Sequence, residues 1–217
     1  PVSAAGIAIG GAALVYWKYY SNATPTPVLF NVDLSKIAEE YKTNSIPTVM
    51  YDCFKVLEEH AKEEGLLRIS GEAKRAEELA ELYEKQQRVE LDKEHIHTVS
   101  TLMKLFLKKM PEPLLTFSMY YKWILLQNEF SENNKEEWIK KAAEYINQLP
   151  DENKHLLCAL VKFLCEIETN KKSNLMTAAN LATVITPSIF YPEPNYNPGK
   201  MLAELGIAAK LVKNFLL

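Results

Sequence analysis

The chain has 217 residues, 47% of them hydrophobic and 24% charged, and a formal net charge of −3. That length can bury a substantial core, and that balance excludes a disordered chain. The acidic charge, with no interleaving of aromatics and lysines, also argues against a nucleic-acid surface.

Residues 2 to 17, VSAAGIAIGGAALVYW, are apolar for sixteen positions. A bilayer needs roughly 20, and no basic residue precedes the run as in a signal peptide. Gly6 and Gly10 make a GxxxG, a weak signal of membrane-helix pairing where small residues abound. Residues 1 to 26 therefore read as an apolar tail or a segment left by cloning, as Ser21-Asn22-Ala23 suggests. A packed or partner-bound helix and a truncated membrane anchor are the alternatives. Pro25 and Pro27 mark the boundary with one domain over 27 to 217.

After Pro27 the periodicity predicts helices and little strand. Asp33 is placed to cap a short helix carrying Leu34, Ile37, Ala38 and Tyr41, and Pro47 suits the first turn of the next. There Val49, Cys53, Val56, Leu57 and His60 recur at spacings of three and four. Ser70 is placed to cap a third helix, with Glu72 in its first turn and Ala76, Leu79, Ala80 and Tyr83 inward. A fourth is predicted from near Asp92 to Met110, stopped by Pro111 and Pro113. On it Ile96, Val99, Leu102, Met103, Phe106, Leu107 and Met110 share one side. Lys104 and Lys108 fall opposite with His97 and Thr101, a basic ridge above a buried stripe. Further helices are predicted over 117–128, 134–148, 152–169, 176–185 and 200–216, with Asp151 and Glu152 capping and Pro150 and Pro187 between them. The sum is an all-α, single-domain bundle of about nine helices with no long repeat.

Cys53, Cys158 and Cys165 form no CxxC pair and read as small buried thiols in a reducing cytosol. No phosphate-cradling GxxxxGK[ST] and no GxSxG elbow is present. His95 and His97 diverge on a helix, which favours a solvated or capping role over a metal site. Neither a metal site nor a self-contained active site is predicted.

GLLRISG, residues 65 to 71, brackets an arginine with leucines, an isoleucine and two glycines in a short connection between helices. Of 25 basic residues only Arg68, Arg75 and Arg88 are arginine. Arg68 either pairs with a nearby carboxylate or helix end while its stem covers apolar surface, or is offered outward to a phosphate, where a planar, permanently charged fork outperforms lysine.

GLLRISG is followed by HTVSTLMKLFLKKMPEPLL at 97–115 and NLMTAANLATVITPS at 174–188. With LFNVDLSKIAEEY and SIPTVMYDCFKVLEEHAKEEGLLRISG ahead of them, they resemble, in order and spacing, the GTPase-activating domain of the RhoGAP family over about residues 28 to 217. The resemblance implies an all-helical domain of about nine helices. It implies that Arg68 is an arginine finger, inserted in trans into a Rho-, Rac- or Cdc-type small GTPase. There it neutralises charge developing between the β- and γ-phosphates. GTP and Mg²⁺ then belong to the partner, and the domain works in the cytoplasm with no cofactor and no direct membrane binding.

Lys104 matches the family lysine that braces the finger loop. Asn180 matches the asparagine at the catalytic interface, with local helix bonding as its structural alternative. Pro187 matches the proline ending that helix. PEPLL at 111–115 reads as architectural, with Glu112 in a minor role at most. Lys108 departs from the family, which usually has arginine there, and lysine keeps the charge but loses the bidentate fork. A catalytically weak module that binds GTPases without activating them is therefore the main alternative, and an unrelated helical adaptor the remaining one.

Overall fold

Apolar spacings of three and four fold into nine α-helices among the described residues, 28–217 of a computed structural model. They are α1 (Thr48–Glu59), α2 (Ala73–Glu84), α3 (Ile96–Lys108), α4 (Tyr120–Asn128), α5 (Lys135–Asn147), α6 (Asp151–Thr169), α7 (Lys171–Asn174), α8 (Ala178–Ile189) and α9 (Pro198–Asn214). The reading of residues 1 to 26 as a tail or cloning remnant lies outside the described residues.

The all-α expectation holds, with local departures. The helix expected after Asp33 is two 3₁₀ turns, Leu34–Lys36 and Glu39–Tyr41. Ile37 between them is extended, and the Asp33 side chain caps no amide, pairing instead with Lys36 at 2.5 Å. Pro47 lies just outside α1, in a minimal antiparallel hairpin of β1 (Lys42–Thr43) and β2 (Ile46–Pro47). Asn44 and Ser45 form its two-residue turn, both at positive φ, the backbone that right-twisted strands demand. His60, expected inward, is exposed at the end of α1, whereas Met50 and Phe54 join its buried face. Cys53 is buried as expected, but Cys158 is exposed on α6 and Cys165 half-buried. Asp151 and Glu152 lie inside the first turn of α6, after the N-cap Pro150, and Asp151 pairs with Lys154 at 2.6 Å.

The centre of the bundle is α3, packed against α1, α2 and α8. Val99, Leu102, Met103, Phe106 and Leu107 are buried along it, as the periodicity requires. It begins at Ile96, because Leu91–Lys93 is a separate 3₁₀ turn. His95 is its N-cap, with Nδ1 accepting from the His97 amide at 3.4 Å, which is the capping role expected for one of the two histidines. The opposite side of α3 is not the exposed ridge the sequence suggests. His97 and Thr98 are buried and Thr101 half-buried, because the start of α2 crosses directly over them.

That crossing also replaces the cap assigned to Ser70. Helix α2 starts at Ala73, and the free amides ahead of it donate to threonines of α3: Gly71 to Thr101 Oγ1 at 3.0 Å and Glu72 to Thr98 Oγ1 at 3.3 Å. Orphan amides at a helix start are thus satisfied from a neighbouring helix. The approach is close enough to exclude any side chain at residue 71, since a Cβ there falls 2.2 Å from the Thr98 amide nitrogen.

Arg75 of α2 ties the same corner together, donating through Nε and Nη2 to Glu94 at 3.1 and 2.5 Å and through Nη1 to Glu78 at 3.0 Å. These hydrogen bonds hold the Glu94 carboxyl below the ordinary carboxylate range. Just beneath that range the unfolded chain takes up a proton that the folded chain refuses. Stability from this group is therefore complete above the range and is lost as pH falls through the lowered value. The urea midpoint of wild type is expected to exceed that of Glu94→Gln at neutral pH, and the gap to narrow as pH falls to about 3. A gap independent of pH contradicts this assignment.

Among the described residues no helix is long and apolar enough to cross a membrane, and no His, Cys, Asp and Glu cluster could hold a metal ion.

Candidate functional site

Residues 60–72 link α1 to α2, with a chain of turns over 60–68. Their shape is set by two residues at φ +69, Gly65 and Leu67. Glycine adopts that conformation without penalty, but leucine does so only when its surroundings compel it. Leu66 and Leu67 are both 0% exposed, so burial of two side chains holds the strained link. The next residue, Arg68, is exposed, with Nη2 3.5 Å from the position a Cβ on Gly65 would take. The amides of Arg68 and Ile69 both donate to the Gly65 carbonyl, at 2.8 and 2.9 Å, closing a tight turn under the arginine.

Arg68 is exposed, and among the described residues its guanidinium makes no hydrogen bond or ion pair. Arg75 and Arg88 differ, Arg75 being held by Glu94 and Glu78 and Arg88 meeting Glu90 at 3.2 Å. The pairing alternative for Arg68 is therefore not observed. Exposed Ile69 adjoins it, its side chain lying across Gly65.

Lys104 reaches the loop from below, its Nζ donating to the Leu67 carbonyl at 2.6 Å. It is half-buried, and burial first, then the nearby Lys108, lowers its pKa below the usual lysine range. This corrects the ridge reading: Lys104 lies beneath the arginine loop, and only Lys108, one turn on, is exposed. His97, also beneath the loop, is held below the usual histidine range by burial, then by His95 and Lys104, against the opposing pull of Glu63.

Asn180 lies in the first turn of α8, whose N-cap Thr177 accepts its amide at 3.3 Å. Its Nδ2 donates to the Leu175 carbonyl at 2.9 Å, so its side chain bonds locally and stabilises the segment entering the helix. That segment adjoins the arginine loop, because the Gly65 amide donates to the Asn174 carbonyl at 2.8 Å. Arg68, Lys104 and Asn180 are thus connected through the arginine loop and the segment entering α8, with Lys108 one turn beyond Lys104 on α3.

Pro187 does not join them. It lies two residues inside the end of α8 rather than terminating it, and seven residues past Asn180, roughly 10 Å along the axis. PEPLL is architectural as expected. Leu114 and Leu115 are buried, Asn153 Nδ2 donates to the Leu114 carbonyl at 2.9 Å, and Glu112 Oε1 accepts the Phe117 amide at 2.8 Å. The sequence reading missed Asn174 and the two capping threonines. The first sat in a quoted motif with no role attached, and the others look like ordinary polar helix positions.

Comparison with known proteins identifies the family of the domain. The profile of the family described as RhoGAP domain matches residues 47–194. Rho GTPase-activating protein 24 of Homo sapiens is 29% identical over 163 residues, 74% of this chain and 22% of that protein. Rho GTPase-activating protein 25 of Mus musculus is 32% identical over 170 residues, 75% of this chain and 26% of that protein. The chain therefore spans about a quarter of the length of these relatives. The crystal structure of human Rho GTPase activating protein 15 has the same fold, with a TM-score of 0.76 over 87% of this chain and 88% of that one, at 22% identity.

Proposed function

Because this chain belongs to the RhoGAP domain family, whose profile covers residues 47–194, we propose that it accelerates GTP hydrolysis on a Rho-type small GTPase, with Arg68 as the finger. The observation that carries this reading is an exposed guanidinium with no hydrogen-bond or ion-pair partner among the described residues, on a loop braced from within. A finger must stay unpaired until its target arrives, and its loop must not yield when it does.

In this reading the partner holds GTP, Mg²⁺ and the attacking water. Arg68 enters that site and sets its N–H donors against oxygens that gain negative charge as the γ-phosphoryl departs. Such a group is worth about 10³ to 10⁵ in rate, roughly 4 to 7 kcal/mol of barrier. A surface ion pair, at about 1 kcal/mol or less, is too weak for that task. Lys104 holds the Leu67 carbonyl inward, Lys108 and Asn180 face the partner beside the finger, and Pro187 is an outlying contact. A cytoplasmic location follows from the same reading.

The test is single-turnover GTP hydrolysis by a panel of purified Rho-, Rac- and Cdc-type GTPases with and without this chain. Stimulation of at least one is expected, and none across the panel overturns the reading. A linked result concerns nucleotide state. Affinity for a responsive GTPase carrying GDP and aluminium fluoride is expected to exceed that with GDP alone, because the finger matches charge present only in the transition state. The exposed Lys108, in place of the usual arginine, favours one second reading, a binding module without activity. It gives association by calorimetry with neither stimulation nor preference for the fluoride complex.

A further inference from the structure

We propose that Asn174 is a positioning residue for the arginine loop, fixing Gly65, and through it Arg68, relative to the segment that carries Asn180. The proposal rests on the activator reading above. Asn174 ends α7 and is 0% exposed. Its Nδ2 donates to the Ala61 carbonyl at 2.7 Å and to the Ile167 carbonyl at 2.8 Å. Its Oδ1 accepts the Met176 amide at 2.7 Å, and its own carbonyl accepts the Gly65 amide at 2.8 Å.

One side chain and its peptide thus join α6, the turn after α1, the arginine loop and the entry to α8. Burying a primary amide is costly unless its donors are paired, and here both N–H groups are. Ala61 and Gly65 lie four residues apart in the turns after α1, and Asn174 meets both, one through its side chain and the other through its carbonyl. On the other side, Leu175 is at φ 59, a strained backbone for leucine, and is 47% exposed. Asn180 holds its carbonyl. Position is therefore passed from the buried amide to Arg68 through Gly65 and to Asn180 through Leu175. Lys104 supports the loop at Leu67, and the Gly65 end rests on the Asn174 peptide, whose place is set by the side-chain bonds to Ala61, Ile167 and Met176.

No other residue fills this place. Aspartate keeps the acceptor for Met176 but sets a charge against two carbonyls. Alanine reaches none of the three partners, and glutamine carries its amide one methylene further from the backbone, out of register with partners at 2.7 to 2.8 Å. Misplacement of a catalytic group by about 1 Å costs on the order of 10²-fold in rate, so loosening this hold should register in chemistry before it registers in binding.

The test compares Asn174→Ala and Asn174→Asp with wild type on a responsive Rho-type GTPase, at a temperature where circular dichroism shows each variant folded. The saturating single-turnover rate is expected to fall about 10- to 100-fold. Affinity for the complex with GDP and aluminium fluoride should fall likewise, while affinity for the GTPase carrying a non-hydrolysable GTP analogue stays within about 3-fold of wild type. A merely structural role weakens both complexes alike or leaves both unchanged, and either result overturns the proposal. Should neither variant fold, hydrogen exchange on the wild type decides. The Gly65 amide, and the Met176 amide that donates to the Asn174 side chain, are expected to exchange as slowly as those of α6, and exchange of either at the rate of an exposed loop amide overturns the proposal. A wild type that stimulates no GTPase sinks the activator reading separately, and a slow Gly65 amide then still supports the hold on the loop.

Discussion

Arg68→Ala is expected to lower the saturating rate of stimulated GTP hydrolysis by about 10³-fold or more while leaving the fold unchanged. The side chain is exposed and has no hydrogen-bond partner among the described residues, so its removal leaves no buried group unsatisfied. The melting temperature should therefore match wild type, and on the proposed reading the loss should fall on the rate at saturation, since a finger acts in the transition state rather than in ground-state binding. Arg68→Lys should behave almost as badly. An ammonium keeps the charge but presents a compact point donor where two aligned N–H groups are needed. Stimulated hydrolysis by Arg68→Ala at the wild-type rate would remove the finger from the mechanism.

The second large effect is on stability. Gly71→Ala places a Cβ 2.2 Å from the Thr98 amide nitrogen and 2.3 Å from the His97 carbonyl oxygen. Both are backbone atoms at the start of α3, so no side-chain rotation relieves the overlap and α2 must move away. The shift also breaks the hydrogen bonds from Gly71 and Glu72 to Thr101 and Thr98. Overpacking of this kind costs about 3 kcal/mol, which for a domain of this size lowers the melting temperature by about 6 to 12 °C. Gly206→Ala is the matched control. It lies on α9 with nothing within 4 Å of an added Cβ, and there alanine is expected to be neutral or to stabilise by up to about 1 kcal/mol. Equal melting temperatures for Gly71→Ala and wild type would show that the two helices do not meet as described.

The sequence carried most of the architecture because helix periodicity is written locally. The inward stripe of α3 from Val99 to Leu107 and the prolines before α6 and after α3 needed no tertiary information. Failures came where a neighbouring element decided the outcome. Ser70 has the chemistry of a cap, but Thr98 and Thr101 reach the amides first, from a helix 26 to 30 residues on. Lys104 has the helical phase of a solvent-facing residue, yet the arginine loop folds over it and turns a surface charge into a half-buried brace. Phase on a helix tells which residues avoid its nearest core, not what else comes to cover them. Arg68 was singled out by the scarcity of arginine and the motif around it. Asn174 was not, because a buried asparagine has no periodic signature and one of its partners, Ala61, lies 113 positions away.

The arginine loop is fastened to α3 at two places, Leu67 through Lys104 and Gly71 through Thr101. Those anchors are three residues apart on a rigid rod, roughly 4.5 Å of rise. Its reach is thereby measured against the pitch of a helix rather than left to the slack of a connector. One extra residue between the anchors has nowhere to go but outward, toward whatever docks there. Variation in length between relatives should therefore be sparse within 67–71 and free at distant bends such as the one joining α4 to α5.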